Sequence, residues 1–457
     1  MATFSSHSSH SSHSSHSSHG LQDTDVSTLV ADGLIIQRDS LAGPYQPLPA
    51  KIPKLEQDAS DNIEHWSPAV RADILDFILQ SPLAFQRNCE KLKVFGYEQG
   101  KTDFKPVERV RDVFSLWHVD SHVNKDHWDN AECEENCKVI DYTSGPEKTQ
   151  PPEPNVKPYR LAQMVRPTRS AFRRQLAFLN GYAALRNERE AEILSQVDAL
   201  LPYVGATVGL RFDRNMWTVE LLDAVLRLAR QVEMRFKAAL ACRRPGELSP
   251  DIQPMIATPA HSSLPSGHAT EAFAVATVLN AVVRLGRAQD GKDKDWVKFD
   301  SWQRYSQMLS MVAARIGINR TVAGVHFPVD TAAGCTLGVT LGNYFLWRCG
   351  AQKIDDANGK LVKDRVDYQA WMFESWAYDG TEDYSRAAQI DPNTGEIRLR
   401  EAEHIIAGVD DKGVDPKIGK RLAVPYQYRL EDDADPHWRR APVLQEMLEK
   451  AVEEWNQ

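Results

Sequence analysis

The sequence predicts a mainly α-helical protein, a helical bundle core with long irregular N- and C-terminal extensions. Apolar residues recur at helical spacing in successive stretches from about residue 161 to 350, and no period-two alternation is sustained there. Pro, Gly and charged residues crowd the flanks. A chain of 457 residues with 42% hydrophobic content can bury a substantial core.

Residues 1–20 carry His7, His10, His13, His16 and His19 between Ser pairs and end at Gly20, the pattern of a purification tag. Such a tag can replace a native targeting peptide, so localisation is left open. Residues 21–160 are read as an N-terminal arm and helical extension. Within it, 21–66 is polar and Pro-bearing, and Ser67-Pro68 offers an N-cap and first-turn proline for a helix running to about Cys89. The stretch 91–160, with Pro151, Pro152 and Pro154, reads as irregular.

Residues 161–350 are read as a helical bundle, with helices expected at Thr168–Arg186, Glu190–Leu201, Val219–Cys242, Gly267–Leu285, Trp302–Ile318 and Val329–Trp347. Residues 351–457 form a C-terminal extension packing on the core. They carry turn signals at Asn358-Gly359 and Asn393-Thr394-Gly395 and an amphipathic helix over Val443–Trp455.

The net charge of −9 argues against a nucleic-acid partner, so a pocket for an anion has to gather its cations locally. No run of about 18 uninterrupted apolar residues occurs, and no membrane span is expected. The most apolar segments, around Ala272–Leu285 and Ala332–Trp347, read as core helices. Cys242 and Cys335 read as buried thiols, while Cys133 and Cys137 are left open between a local disulfide and two free thiols. A homo-oligomer is also left open. His118, Asp120, His122, Asp126 and His127 offer a divalent-metal site as a rival, with His118 and His122 four residues apart. The segment lacks the Glu of a His-Glu-x-x-His pattern, and a solvated loop is the favoured reading.

Three segments of the bundle carry chemistry. Lys237 and Arg244, seven apart, would share one face of a single helix and aim two cations at one spot. Pro265-Ser266-Gly267-His268 leads into an apolar helix. Gly267 permits close backbone approach, the helix start presents unpaired N–H groups to an anion, Ser266 adds a hydroxyl, and His268 stands where it can pass protons. The alternative there is an ordinary Ser N-cap. Arg320 ends a helix and His326 lies in the following turn, with Asp330 four residues on to accept its Nδ1–H and leave Nε2 as ligand or nucleophile. The alternative is a core His beside a capping Asp. A pure oxyanion binder would need the donors but not both histidines.

The ordered pattern Lys-x6-Arg-Pro, Pro-Ser-Gly-His, Arg-x5-His-x3-Asp over Lys237–Gly334 resembles the type-2 phosphatidic acid phosphatase superfamily, which includes the vanadium-dependent haloperoxidases. Asn319 stands where the superfamily usually has Ser, and Met234 where haloperoxidases often carry Trp. The resemblance implies vanadate as cofactor, with His326 as apical vanadium ligand. Lys237, Arg244, Ser266, Gly267 and Arg320 would hold the oxygens, and His268 would be the acid–base. Hydrogen peroxide, halide and small organic acceptors would be the partners. His261, seven residues before His268, stands where bromide-oxidising members tend to have His, so bromide and iodide are expected ahead of chloride. The alternative from the same resemblance is a soluble acid phosphatase working through a phosphohistidine on His326.

Overall fold

The computed structural model describes residues 68–80, 82–97, 104–118, 138–141, 159–197, 199–290, 299–354, 361–365, 368, 370–373, 375, 388–390, 397–399, 402–405, 423–429 and 441–456. Helix α1 (Pro68–Gln80) is followed by strands β1 (Leu83–Tyr97), β2 (Phe104–His118), β3 (Lys138–Asp141) and β4 (Tyr159–Val165). Helices α2 (Arg169–Tyr182), α3 (Arg186–Ser195), α4 (Leu201–Ala206), α5 (Met216–Leu240), α6 (Gly267–Asp290), α7 (Phe299–Val322) and α8 (Pro328–Arg348) then form the bundle. Short strands β5 (Trp371–Phe373), β6 (Ala402–Ile405) and β7 (Ala423–Arg429) precede helix α9 (Pro442–Glu453). The mainly helical core agrees with the sequence reading.

The extensions are more ordered than expected. The helix opened by Pro68 stops at Gln80 instead of reaching Cys89, and part of the stretch read as irregular pairs as a long antiparallel ribbon, Leu83 opposite His118 through Tyr97 opposite Phe104. Both extensions feed one seven-stranded sheet in the order β6-β7-β5-β4-β2-β1-β3. The reason for the miss is burial on two faces. Leu83, Ala84, Phe85 and Gln86 are consecutively buried, as are Val113 through Trp117, so no polar–apolar alternation is written into these strands. Both predicted turn signals lie outside the described residues, but each is flanked by a short antiparallel pair, Gln352–Ile354 with Leu361–Arg365 and Ala388–Ile390 with Ile397–Leu399.

Helix α6 is the axis of the bundle, packed by α5, α7, α8 and α9. Among the described residues it is the one helix long and apolar enough to cross a membrane, but 89% of that window is buried inside the protein. A helix apolar on all sides and enclosed by others is a core helix. Its approach to α8 is unusually close. A Cβ placed on Gly334, Gly338 or Gly342 would fall 2.6, 2.4 and 2.8 Å from Ser266 O, Thr270 O and Thr277 Cβ. These positions recur every fourth residue, so one face of α8 lies with its backbone against α6. That spacing brings the first turns of the two helices, and the chemistry on them, together.

The C-terminal helix closes the opposite end. The Glu454 carboxylate accepts from Trp217 N at 2.8 Å and Thr218 N at 2.9 Å, capping the positive start of α5, and Trp455 Nε1 donates to Thr218 Oγ1 at 3.0 Å. On the far side of α5, Arg71 of α1 makes a bidentate pair with Glu220 at 2.6 and 2.7 Å.

Candidate active site

The three segments converge at the starts of α6 and α8. Lys237, Arg244, His261, Ser266, His268, Arg320, His326 and Asp330 are all buried, none more than 4% exposed, and Gly267 is buried with them. Lys237 and Arg244 do not share a helix face, however. Helix α5 ends at Leu240, Ala241 turns left-handed at φ 46°, and Arg244 precedes a separate single turn, Pro245–Leu248. The two cations reach the same region from a helix and from the loop after it. Ser263 N donates to Cys242 O at 2.9 Å and pins that loop to the segment before α6.

Asp330 is the knot. Its Oδ2 accepts from Phe327 N at 2.9 Å, from His326 Nδ1 at 3.1 Å and from the Ser263 hydroxyl, while its own carbonyl accepts from Ser266 N at 2.9 Å. The capping alternative is thus realised together with the orienting role: one carboxylate starts α8 and holds the imidazole. A carboxylate only accepts, so Nδ1 of His326 carries the proton and Nε2 the lone pair. That lone pair faces Arg244, whose Nη1 lies 2.9 Å from Nε2 and also donates to Val325 O at 2.8 Å. A group bonded to Nε2 would have to displace this contact.

Arg244 also donates through Nε to His261 O at 3.1 Å, and its Nη2 lies 3.1 Å from His261 Nδ1. His261 therefore braces Arg244. Lys237 Nζ donates to Pro265 O, and to Ser262 O and Ser263 O at 3.4 Å each, lying beneath the loop that leads into α6. That loop contains a cis Leu264–Pro265 bond. Ser266 Oγ accepts from Ala269 N at 3.5 Å, so the N-cap alternative holds there as well.

The electrostatics are those of a buried cluster of basic groups. Burial pushes the Lys237 ammonium down to about 7, more than Glu233 and Asp330 restore. Burial likewise pushes Arg244 down to about 10 and Arg320 to about 9. His326 is held well below its usual range by burial, then by the charges of Arg244 and Lys237 and by His261 and His268, so its ring is neutral and its contact with Asp330 is a hydrogen bond rather than an ion pair. Burial raises Asp330 to about 6 against the opposing pull of Ser263, Phe327 N–H and the two cations. Arg320 donates through Nη2 to Ile193 O at 2.8 Å, yet its buried Nε and Nη1 have no hydrogen-bond partner. A buried guanidinium with two unused donor atoms is costly unless an anion meets it.

Gln196, Glu233, Ser263 and Glu192 belong to the site and were not singled out in the sequence. Gln196 O accepts from His268 Nε2 at 2.9 Å, which places the proton on Nε2 and makes Nδ1 the acceptor nitrogen of the neutral ring. Glu233, one turn before Lys237 and fully buried, was legible only as an acidic residue on the same helix face. On the outer side of Gln196 lies a groove of about 520 Å³ lined by Ala191, Glu192, Ser195, Tyr203, Val312 and Arg315 as well.

Of the residues of the rival metal site, one falls among those described. His118 ends strand β2 and its Nδ1 lies 2.8 Å from Tyr344 Oη; Asp120, His122, Asp126 and His127 lie outside the described residues. So do Cys133 and Cys137. Cys89 is disulfide-bonded, and Cys242, Cys335 and Cys349 are free and buried. Among the described residues no group of three or more His, Cys, Asp or Glu side chains could hold a metal ion. An oxyanion held by one imidazole and several cations needs no such group.

Residues 220–354 match the PAP2 superfamily. Over 94 residues the chain is 32% identical to the vanadium-dependent bromoperoxidase of Ascophyllum nodosum, a stretch covering 18% of this chain and 17% of that protein's length. The matched superfamily segment holds Lys237, Arg244, His261, His268, Arg320, His326 and Asp330. Residues 220–354 are therefore a segment that matches the PAP2 superfamily, with similarity to a vanadium-dependent bromoperoxidase over 94 residues.

Proposed function

We propose that the pocket holds vanadate and that the protein is a vanadium-dependent haloperoxidase, using hydrogen peroxide to oxidise bromide or iodide in preference to chloride. The observation that carries this reading is the unused donor pair of the buried Arg320, together with a neutral, Asp330-held His326 whose Nε2 meets Arg244. Three buried cations and one lone-pair nitrogen fit a tetrahedral oxyanion better than a bare metal cation, which they would repel. His326 Nε2 would be the ligand to vanadium, and Lys237, Arg244, Arg320, Ser266 and the Gly267 N–H would hold the oxygens. When bound, vanadate supplies a Lewis acid that activates peroxide without changing oxidation state.

The chain's own residues do the rest. Asp330 keeps the His326 proton on Nδ1 and so keeps Nε2 basic. The fixed cations neutralise charge in a site that excludes water, and removal of one such donor costs on the order of a hundredfold in rate. His268, with Nε2 committed to Gln196 O, accepts and returns a proton at Nδ1. His261 is assigned to halide preference by resemblance, and its bracing of Arg244 is the route by which it would act.

The second reading, a phosphatase in which Nε2 of His326 attacks phosphorus, is favoured by the same neutral imidazole. One experiment separates them. Orthovanadate is added to metal-free protein while phenyl phosphate hydrolysis and peroxide-dependent bromination of a dye are followed. Gain of bromination supports the haloperoxidase; loss of hydrolysis with no bromination identifies the phosphatase.

A further inference from the structure

We infer that Gln196 is a positioning residue of the oxyanion pocket, which decides which N–H groups of Arg320 are left to meet the anion. This deepens the oxyanion-pocket reading and rests on it. Gln196 is the C-cap of α3 and is 1% exposed. Its Oε1 accepts from Asn319 Nδ2 at 2.9 Å and from Arg320 Nη2 at 3.4 Å, while its Nε2 donates to Glu192 Oε1 at 2.9 Å. Glu192 is a carboxylate and only accepts, so the amide has one permitted orientation, with its oxygen turned toward Arg320.

Arg320 Nη2 is therefore occupied by the last turn of α3, through Ile193 O at 2.8 Å and Gln196 Oε1. Nε and Nη1, without partners, are what remain. The amide is itself fixed from outside. Asn319 bridges Gln196 and Glu192 and accepts from Arg189 Nη1 at 3.0 Å, and Glu192 is locked to Arg315 by bonds of 2.5 to 2.8 Å. An exposed ion pair thus anchors a buried amide, which orients a buried cation. Asn319, standing where the superfamily usually has Ser, is a working member of this chain of contacts.

A neutral amide suits this position for a reason of charge. A hydrocarbon would leave Nη2 with Ile193 O as its one acceptor, and a carboxylate would draw the guanidinium onto itself and cancel the charge meant for the ligand. The carbonyl that holds His268 is backbone and is retained in every variant, so side-chain changes act on Arg320, Asn319 and Glu192.

The test is binding of orthovanadate by equilibrium dialysis to wild type, Gln196→Glu and Gln196→Met, from about pH 5 to about pH 8.5. The ratio of variant to wild type at each pH cancels the anion's own protonation. Gln196→Glu is expected to bind about 10–100-fold more weakly at the alkaline end, as outer-shell partners of ligands commonly do, with the ratio closing to within about threefold at the acid end as the new carboxyl protonates. Gln196→Met is expected to lose about tenfold with little pH dependence. Equal losses in both variants at every pH would mark a packing role and overturn the inference, as would wild-type affinity in Gln196→Glu. Should that variant fail to fold, Gln196→Met decides, and wild-type affinity there overturns it. Wild-type protein that binds neither orthovanadate nor phosphate would instead overturn the oxyanion-pocket reading, and this inference with it.

Discussion

Replacing Gly338 by Ala adds one methyl group at the contact between α6 and α8. An ideal Cβ there lies 2.4 Å from Thr270 O, 2.9 Å from Phe273 Cβ and 3.1 Å from Ala274 N. Carbon–oxygen contacts close at about 3.3 Å or more, so roughly 1 Å must open between the two helices. The first obstacle is backbone and cannot rotate aside. Overpacking of this kind costs about 1–3 kcal/mol and sometimes more, against a gain of about 0.5–1 kcal/mol from removing a helical glycine. A net loss of about 1–2 kcal/mol is expected, read as a lower urea midpoint at unchanged slope. Oxyanion affinity should fall further than stability, because the separation stretches the Ser266 N to Asp330 O bond of 2.9 Å that joins the starts of α6 and α8. Gly181 on α2 is the control, with nothing within 4 Å of its would-be Cβ, so the same substitution there should stabilise by about 0.5–1 kcal/mol. A Gly338→Ala protein as stable as wild type, with oxyanion affinity intact, would refute the close-packing argument.

Anion binding should take up a proton above neutrality, because a nearby anion lifts the depressed Lys237 ammonium back from about 7 toward its ordinary value. Titration with sulfate, which has no proton of its own near neutrality, should show buffer-dependent heats at pH 8 and an affinity falling up to about tenfold per pH unit above 7; Lys237→Met should abolish the buffer dependence. In the unliganded protein the sign is that of a depressed base, with this group's stability contribution present above 10.5 and lost as pH falls through about 7. Asp330→Asn should weaken orthovanadate binding about 10–100-fold by dialysis, since the His326 Nδ1–H loses its charged acceptor, and unchanged affinity would remove Asp330 from the site. His326→Ala should abolish vanadate retention, whereas His268→Ala should retain it and slow turnover about 10²–10⁴-fold, measured as peroxide-dependent bromination.

The helices of the bundle were legible because their pattern is local. Val219–Cys242 was expected and Met216–Leu240 is found; Gly267–Leu285 extends to Asp290; Val329–Trp347 becomes Pro328–Arg348. Cap and turn chemistry governs such ends within a few residues. Strands β1, β2 and β4 were not legible, because Leu83–Gln86 of β1, Val113–Trp117 of β2 and Arg160–Val165 of β4 are buried in consecutive runs, and β4 reaches β2 from a distant part of the chain, Val113 opposite Val165. The site shows the same division. Ser266-Gly267-His268 and His326 to Asp330 are short-range arrangements whose geometry a helix start largely dictates. Gln196 and Glu192 reach Arg320 and Asn319 across more than a hundred residues of sequence, and no spacing rule points to them.

By itself, then, the order of residues determined the helical class, the identity of the basic and imidazole groups, and the pairing of His326 with Asp330 one turn away. Tertiary structure alone decided that Lys237 and Arg244 meet from different elements, that Arg244 covers the His326 lone pair, and that Arg320 retains two unmet donors. Helix periodicity and capping are set by neighbours within four or five residues. Desolvation and the hydrogen bonds that offset it depend on which distant segments close over a group, and that is known only once the chain has packed.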